Sequence, residues 1–301
     1  MELAIELSII TVNYNGLKDT CALIDTIPFD EYSLEVIVVD NASKEDEASI
    51  IAERYPQVRV IRSDQNLGFA GGNNLGIKAA RGKYLYLINN DTVLWMEEDG
   101  PKSGEQIFQP LIARLQSSPK AGVVCPKIKF AWGKHPIQYA GYTPLSPITV
   151  RNRAIGFGEH DYGQFQVARP TPYAHGAAMM LKRETIEKAG LMPECYFLYY
   201  EELDWSEMIR RAGYKIWYEP ASIIYHKESQ TTGQNSPLRC YYITRNRLLF
   251  AKRNIPGAKK LLSYLYIVGV VALRDIVKYT FQGHMDLVKA VFRGIIHFIK
   301  L

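Results

Sequence analysis

Between residues 7 and 93 one pattern repeats: a short apolar run rich in β-branched residues, a polar step, then a stretch with apolar positions at helical spacing. The apolar runs are "LSIITVNYN" (7–15), "LEVIVVDNAS" (34–43), "VRVIRS" (58–63) and "YLYLINND" (84–91). Between them, "GLKDTCALIDTI" (16–27), "KEDEASIIAERY" and "GGNNLGIKAARG" (71–82) read as helices. A strand that is apolar throughout is buried on both faces, and strands joined through helices lie parallel. The pattern therefore predicts an α/β fold, a parallel sheet with helices over both faces. In such sheets ligands collect beyond the carboxyl ends of the strands. Those ends are polar here: Asn13-Tyr14-Asn15, Asp40-Asn41, Asn66 and Asn89-Asn90-Asp91.

After Thr92 the pattern loosens. "IFQPLIARLQSS" reads as a helix and "AGVVCPKIKF" as a strand, and residues 133–172, rich in Gly, Pro and Tyr, suit an irregular binding surface. "HGAAMMLKRETIEKAG" (175–190) reads as strand, helix and glycine stop. "YYEELDWSEMIRRAG" (199–213) is a helix with its acids at the N-terminal end and its arginines at the other, as the macrodipole favours. The 301 residues, 47% hydrophobic, can bury a full core. Cys21, Cys125, Cys195 and Cys240 lie far apart, which excludes a paired disulfide frame or zinc spacing and suits reduced cytoplasmic thiols. "MELAIELSIITVNYNG" opens with acids where a signal peptide needs basic residues, and no run of about 18 apolar residues occurs to span a bilayer.

A nucleoside diphosphate laid across the strand ends would find matching chemistry. The Asp40 carboxylate could take a ring N–H of the base, and the Tyr14 ring offers a flat surface. Asn89 and Asn90 could bond a ribose without adding charge. No Walker-type lysine loop is present to hold the diphosphate, so a divalent metal on Asp91 is the natural substitute. The competing reading of Asn-Asn-Asp-Thr is an Asx-rich turn whose side chains cap backbone groups. Glu201, Glu202 and Asp204 fall within one helical turn, next to Phe197, Tyr199 and Tyr200. Acids there can simply stabilise a helix start, but crowded carboxylates beside aromatics also suit a general base with a raised pKa. His226 ends an apolar strand, "ASIIYHKES", from which it can reach the same rim or serve only packing.

Taken in order, "VNYN", "VVDNAS", "NLGFAGGNN", "INNDT", "HGAAMMLKRE", "FLYYEELDWSEMIRRAGY" and "YHKES" resemble the family 2 inverting glycosyltransferases of GT-A fold, most closely the rhamnosyltransferase-like branch. The resemblance covers about residues 7–255. It implies a Rossmann-like, mostly parallel sheet flanked by helices: a catalytic domain over 1–235, divided into a nucleotide-binding half (1–95) and an acceptor-binding half (96–235), with a helical extension over 236–301. It implies that Tyr14, Asp40, Asn66, Gly68, Asn73, Asn89 and Asp91 hold the donor, that Asp91 and His226 hold Mg2+ or Mn2+, and that Glu202 is the catalytic base. Glu201, Asp204 and Tyr200 would lie on the acceptor side. Two positions depart from the family pattern: Asn89 replaces the first acid of the Asp-x-Asp motif, and the base is Glu where Asp is usual. The expected partners are a nucleoside-diphosphate sugar, rhamnose-like or another UDP-sugar, and a glycan or lipid-linked glycan acceptor, with no nucleic acid.

Two other α/β enzymes are disfavoured because "VNYNGLKD" follows the first strand. A dinucleotide-binding dehydrogenase wants Gly-x-Gly-x-x-Gly there, and a sugar-nucleotide pyrophosphorylase a Gly- and Arg/Lys-rich loop. A degenerate transferase acting as a glycan-binding scaffold remains the non-enzyme alternative. From Ser236 onwards twelve lysines and arginines face two acids, a charge of +10 that leaves −5 for residues 1–235. Residues 258–301 read as two helices. In the second, Leu287, Val288, Val291, Phe292, Ile295, Phe298 and Ile299 form one apolar face. The face alone suits a helical lid on the catalytic domain, but with the charge it predicts a cytoplasmic protein attached peripherally to the anionic inner face of the plasma membrane.

Overall fold

The computed structural model describes residues 5–228 and 236–301. The first four residues of the chain, Ser229 and the boundary expected at 235 lie outside the described residues. The predicted alternation is present. β1 (Leu7–Asn13), α1 (Leu17–Asp25), β2 (Leu34–Asp40), α2 (Glu47–Arg54), β3 (Val58–Arg62), α3 (Gly68–Ala79) and β4 (Tyr84–Ile88) follow in order. β1 lies between β2 and β4, parallel to both, and β3 adds outside β2, also parallel. The interiors of β1, β2 and β4 are buried on both faces, which is why their sequences carry no polar alternation.

The second half is mixed. After β5 (Thr92–Val93), α4 (Gly104–Ile107) and α5 (Gln109–Gln116) come β6 (Ala121–Phe130), β7 (Ile137–Tyr139), β8 (Arg169–Thr171), β9 (Ala178–Lys182), α6 (Arg183–Ala189), α7 (Glu201–Arg211) and β10 (Lys215–His226). The sheet order is β3-β2-β1-β4-β9-β6-β10-β5, with β7 on β6 and β8 on β10. β9 enters antiparallel between β4 and β6, while β6 and β10 pair in parallel. β1, β2, β3, β4, β6 and β10 thus point the same way, and their carboxyl ends share one rim.

The C-terminal helices are α8 (Pro237–Asn254), α9 (Gly257–Tyr266), α10 (Leu273–Phe281) and α11 (Met285–Ile299), with one π-helical turn over Ile267–Ala272. α9 runs through that turn into α10, so residues 257–299 form the two expected helical stretches. α8 shares a second hydrophobic core with the body: Leu248, Leu249, Phe250 and Ile255 pack with Val150, Tyr196 and Tyr200. Much of the apolar face expected on α11 is committed to packing. Leu287, Val288 and Val291 are buried, Ile295 and Phe298 pack against the second core, and only Phe292 and Ile299 of that face stay exposed. α11 lies so close to α8 that a Cβ at Gly294 would come within 2.9 Å of the Tyr241 carbonyl. A different apolar surface is open: Leu261 and Leu265 on α9, and Leu273, Val277 and Phe281 on α10, are exposed at four-residue spacing within each helix. Among the described residues no helix is long and apolar enough to cross a membrane.

Candidate active site

The strand ends meet in a cleft of about 410 Å3. Two larger hollows, near Lys120 and Tyr214 and near Phe29 and Gln57, are shallow surface features that gather none of the strand-end groups. Tyr14, 39% exposed, stands at the cleft mouth just beyond β1. Asn66, Gly68 and Asn73 form one wall, and Asn89, Asn90 and Asp91 the floor. The loop before α3 is held by Asn41, whose amide donates to Asn66 Oδ1 (3.1 Å) and the Gly68 carbonyl (3.2 Å) while its Oδ1 accepts from the Leu67 N–H (3.0 Å). Gly68 has φ +71°, and a Cβ there would fall 2.2 Å from the Phe197 carbonyl, so glycine is required. Asn73 donates to the Phe69 carbonyl at 2.9 Å.

Asp40 lies one step behind the cleft surface. Its Oδ1 accepts from Asn13 Nδ2 (2.9 Å) and Ser43 Oγ (2.6 Å), whereas among the described residues Oδ2 receives only the Ser43 N–H at 3.4 Å. Asn90 is spent on structure, donating to Thr20 Oγ1 at 3.0 Å, and the Asn89 carbonyl accepts from Thr92 Oγ1 at 2.7 Å. The Asx-turn reading is therefore correct for part of the tetrapeptide. Asn89 and Asp91 still line the cleft.

Asp91 and His226, both nearly buried, face one another with Oδ1 and Nε2 3.0 Å apart. The other ring nitrogen of His226 is 2.8 Å from Gln138 Oε1; in the tautomer that donates from Nδ1 to that oxygen, Nε2 presents a lone pair to the carboxylate. Two acceptors at that distance need a shared proton or a cation. Cis ligands of an octahedral ion at about 2.1 Å lie about 3 Å apart, so the spacing fits a divalent metal. Among the described residues no group of three or more His, Cys, Asp or Glu side chains gathers for a metal. The protein can thus offer this pair and leave the other positions to ligand oxygens and water.

A strained loop packed against Gly68 also lines the cleft. Phe197, Tyr199 and Tyr200 all have φ between +68° and +77°, a region costing on the order of 1–3 kcal/mol per non-glycine residue. The loop puts Glu201 and Glu202 in the first turn of α7. A Cβ on Gly176 would sit 3.8 Å from both Glu202 Cγ and Phe69 Cζ, so the Glu202 side chain adjoins the cleft wall to which Phe69 belongs. Glu202 keeps some solvent exposure, yet crowding by protein raises its pKa above the ordinary value of 4.5. Glu201 is buried, its Oε2 has no hydrogen-bond partner among the described residues, and burial with the Glu202 charge pushes it well above that value. Tyr142 is near enough to feel the Glu202 charge and stacks with His175 at 5.8 Å. Burial, with His226 nearby, pushes His175 down to about 3, so its ring is neutral.

A family model described as glycosyl transferase family 2 matches residues 8–190, more than half of the chain. The chain belongs to glycosyltransferase family 2. It is 25% identical over 296 residues to a low-salt glycan biosynthesis hexosyltransferase, Agl10, of Haloferax volcanii, covering 98% of this chain and 91% of that one. It is 25% identical over 225 residues to the N-acetylglucosaminyl-diphospho-decaprenol L-rhamnosyltransferase of Mycobacterium tuberculosis, covering 68% and 70%. The solved mannosyltransferase PcManGT from Pyrobaculum calidifontis, in complex with GDP-Man and Mn2+, superposes with TM-score 0.55 at 16% identity, over 96% of this chain and 74% of that one. That likeness concerns the fold, which is GT-A.

Within this family 2 fold, two residues expected on the acceptor side are turned elsewhere. Asp204 is fully buried and accepts from Tyr196 Oη (2.9 Å), Asn254 Nδ2 (2.9 Å) and the Arg253 guanidinium, so it fastens α7 to α8. Tyr200 donates to the Val150 carbonyl at 3.1 Å and packs against Phe250 in the second core. Neither lines the cleft, because α8 docks against the start of α7 and takes those positions inward. Gln138, Tyr142 and His175 were not singled out from the sequence. The only hint was the tyrosine-rich, irregular composition of 133–172, and "HGAAMM" reads mainly as a strand entry.

Proposed function

We propose that the protein is an inverting, metal-dependent transferase that moves a hexosyl group, rhamnose-like by preference, from a nucleoside-diphosphate sugar to a hydroxyl of a lipid-linked glycan. The observation that supports this reading is the Asp91–His226 pair lining the strand-end cleft, with the Glu202 side chain beside Gly176, next to Phe69 of the cleft lining. Tyr14 and the open oxygen of Asp40 would hold the base, Asn89 the ribose side, and Asn66, Gly68 and Asn73 the wall against the donor. Asp91 and His226 would hold Mg2+ or Mn2+, which when bound supplies positive charge against the diphosphate. Glu202 takes the proton of the acceptor hydroxyl as that oxygen attacks the anomeric carbon from the face opposite the phosphate. The bond from that carbon to the diphosphate oxygen breaks, the nucleoside diphosphate leaves with the electron pair, and configuration inverts. The rhamnosyl preference and the lipid-diphosphate acceptor are supported by the likeness to the N-acetylglucosaminyl-diphospho-decaprenol L-rhamnosyltransferase of Mycobacterium tuberculosis. The expected result of a thermal-shift screen with Mn2+ is that dTDP-rhamnose raises Tm more than UDP- or GDP-sugars do. A larger shift with a UDP-sugar would replace rhamnose by that sugar, and none with any would favour a binding scaffold.

We place the protein peripherally on the inner face of the plasma membrane, by the exposed row Leu261, Leu265, Leu273, Val277 and Phe281 rather than by α11. Lys259, Lys260, Arg274 and Lys278 flank that row, suiting an anionic surface on which a lipid-linked acceptor would be presented. The full chain is expected to co-sediment with vesicles containing phosphatidylglycerol and to be released by salt. Leu265→Glu with Leu273→Glu should abolish co-sedimentation without lowering Tm, since both side chains are exposed. Absence of wild-type co-sedimentation would refute membrane attachment.

A further inference from the structure

The strained loop before α7 is held almost wholly by one side of α8. Asn246, fully buried, directs its Nδ2 at three carbonyl oxygens: Tyr196 (3.0 Å), Leu198 (2.6 Å) and Tyr199 (2.9 Å). Its Oδ1 accepts from Arg245 Nε at 2.8 Å, which fixes the amide so that both N–H groups face the loop. Arg245 also donates to the carbonyls of Cys195 (3.0 Å) and Tyr196 (2.6 Å). The remaining carbonyl, that of Phe197, accepts the Phe69 N–H from α3 at 2.9 Å, and the Phe197 ring stacks on Tyr242 of α8. Every carbonyl from Cys195 to Tyr199 is therefore turned to α8 or α3.

This arrangement has two consequences. Left-handed backbone at Phe197, Tyr199 and Tyr200 persists only where surrounding contacts over-determine it, and the Asn246 amide is the chief such contact. The same loop also touches both halves of the reaction. Phe197, Leu198 and Tyr199 line the donor cleft, and the loop's next residues are Glu201 and Glu202. The geometry points to Asn246, oriented by Arg245, as a positioning residue that sets the place of the Glu202 carboxylate relative to the donor. α8, which the sequence assigned to an appended region, is then a structural part of the catalytic unit. This inference rests on the reading of Glu202 as the base, and its first test does not use turnover.

Amide hydrogen exchange of the full-length protein is the decisive measurement. In Asn246→Ala the Phe69 amide, which is bonded to the Phe197 carbonyl, should exchange at least about tenfold faster, while β1 and β2 amides keep their protection. Asn254→Ala is the control, because Asn254 joins α8 to α7 through Asp204 and does not touch the loop. It should lower Tm yet leave the Phe69 amide protected. In dTDP-rhamnose hydrolysis with Mn2+, Asn246→Ala should lower kcat by about 10- to 100-fold and raise KM, whereas Asn254→Ala should move neither. If Asn246→Ala does not fold, Arg245→Gln, at a half-buried side chain, weakens the hold on the Cys195 and Tyr196 carbonyls and on the Asn246 amide, and is read at the same amide. Unchanged Phe69 protection in the folded Asn246 or Arg245 variant would overturn the proposal, whatever the activity. Loss of that protection with unchanged kcat would also overturn it, while leaving the transferase reading intact.

Discussion

Glu202→Gln is expected to lower kcat by about two to four orders of magnitude while donor affinity changes by less than about twofold. The amide keeps the shape of the side chain beside Gly176 and Phe69 and removes only its capacity to take a proton. With Glu202 as the proposed base, the reactive form would be the carboxylate, whose pKa crowding by protein raises above 4.5. Turnover should therefore climb with pH along an acid limb centred above 4.5, and the residual rate of Glu202→Gln should lack that limb. Glu201→Gln separates the neighbouring acid from the base. Its folded-state pKa is raised, so its contribution to stability is fully present below about 4.5 and lost as pH rises through the raised value. A side chain that stays neutral should thus raise Tm at pH 8, change it little at pH 4, and leave kcat within about tenfold. If Glu201→Gln instead shows the larger kinetic loss, the base is Glu201.

The parallel half of the sheet was legible because burial on both faces leaves a direct trace, an apolar run with no alternation, and β1, β2 and β4 carry that trace. Asp91 and His226 were legible for a related reason. A polar group that ends such a run must emerge at the strand's carboxyl end, so two residues 135 positions apart could be assigned to one rim. β9 was legible as a strand but not in direction, since hydrogen-bond polarity depends on the path between β4 and β6 and not on the residues of β9 itself. The direction of a helical side chain was the weakest inference. Glu201, Glu202 and Asp204 share one turn, but only the docking of α8 decides that Asp204 points inward to Arg253 and Asn254. The α11 face illustrates the same ambiguity, because a broad apolar stripe looks alike whether a membrane or α8 covers it. Asn246 left no signal, since a buried amide serving backbone carbonyls looks like any other asparagine in a helix.

Asp91→Ala should abolish the Mn2+ dependence of nucleotide binding and reduce transfer by at least about a thousandfold, with the protein still folded. The size follows from the donor set. His226 faces Asp91 at 3.0 Å, no group of three or more His, Cys, Asp or Glu side chains gathers for a metal among the described residues, and Asn89 stands where a second acid would add charge. Removing Asp91 takes away the carboxylate of the pair, and with it the charged oxygen that would hold a divalent ion against the diphosphate. His226→Ala keeps the carboxylate and should act more mildly, raising the Mn2+ concentration needed for half-maximal activity with a smaller loss at saturation. Fold is not expected to suffer in Asp91→Ala, because β5 and β10 remain paired through Thr92 and Val93. The measurement is titration of dTDP into each folded variant with and without Mn2+, followed by turnover across a metal series. If Asp91→Ala binds dTDP as tightly with Mn2+ as the wild type does, the metal does not sit on this carboxylate and the assignment of the pair fails. If His226→Ala shows unchanged metal dependence and only a lower Tm, His226 serves to hold Gln138 and the end of β10, and Asp91 carries the ion without it.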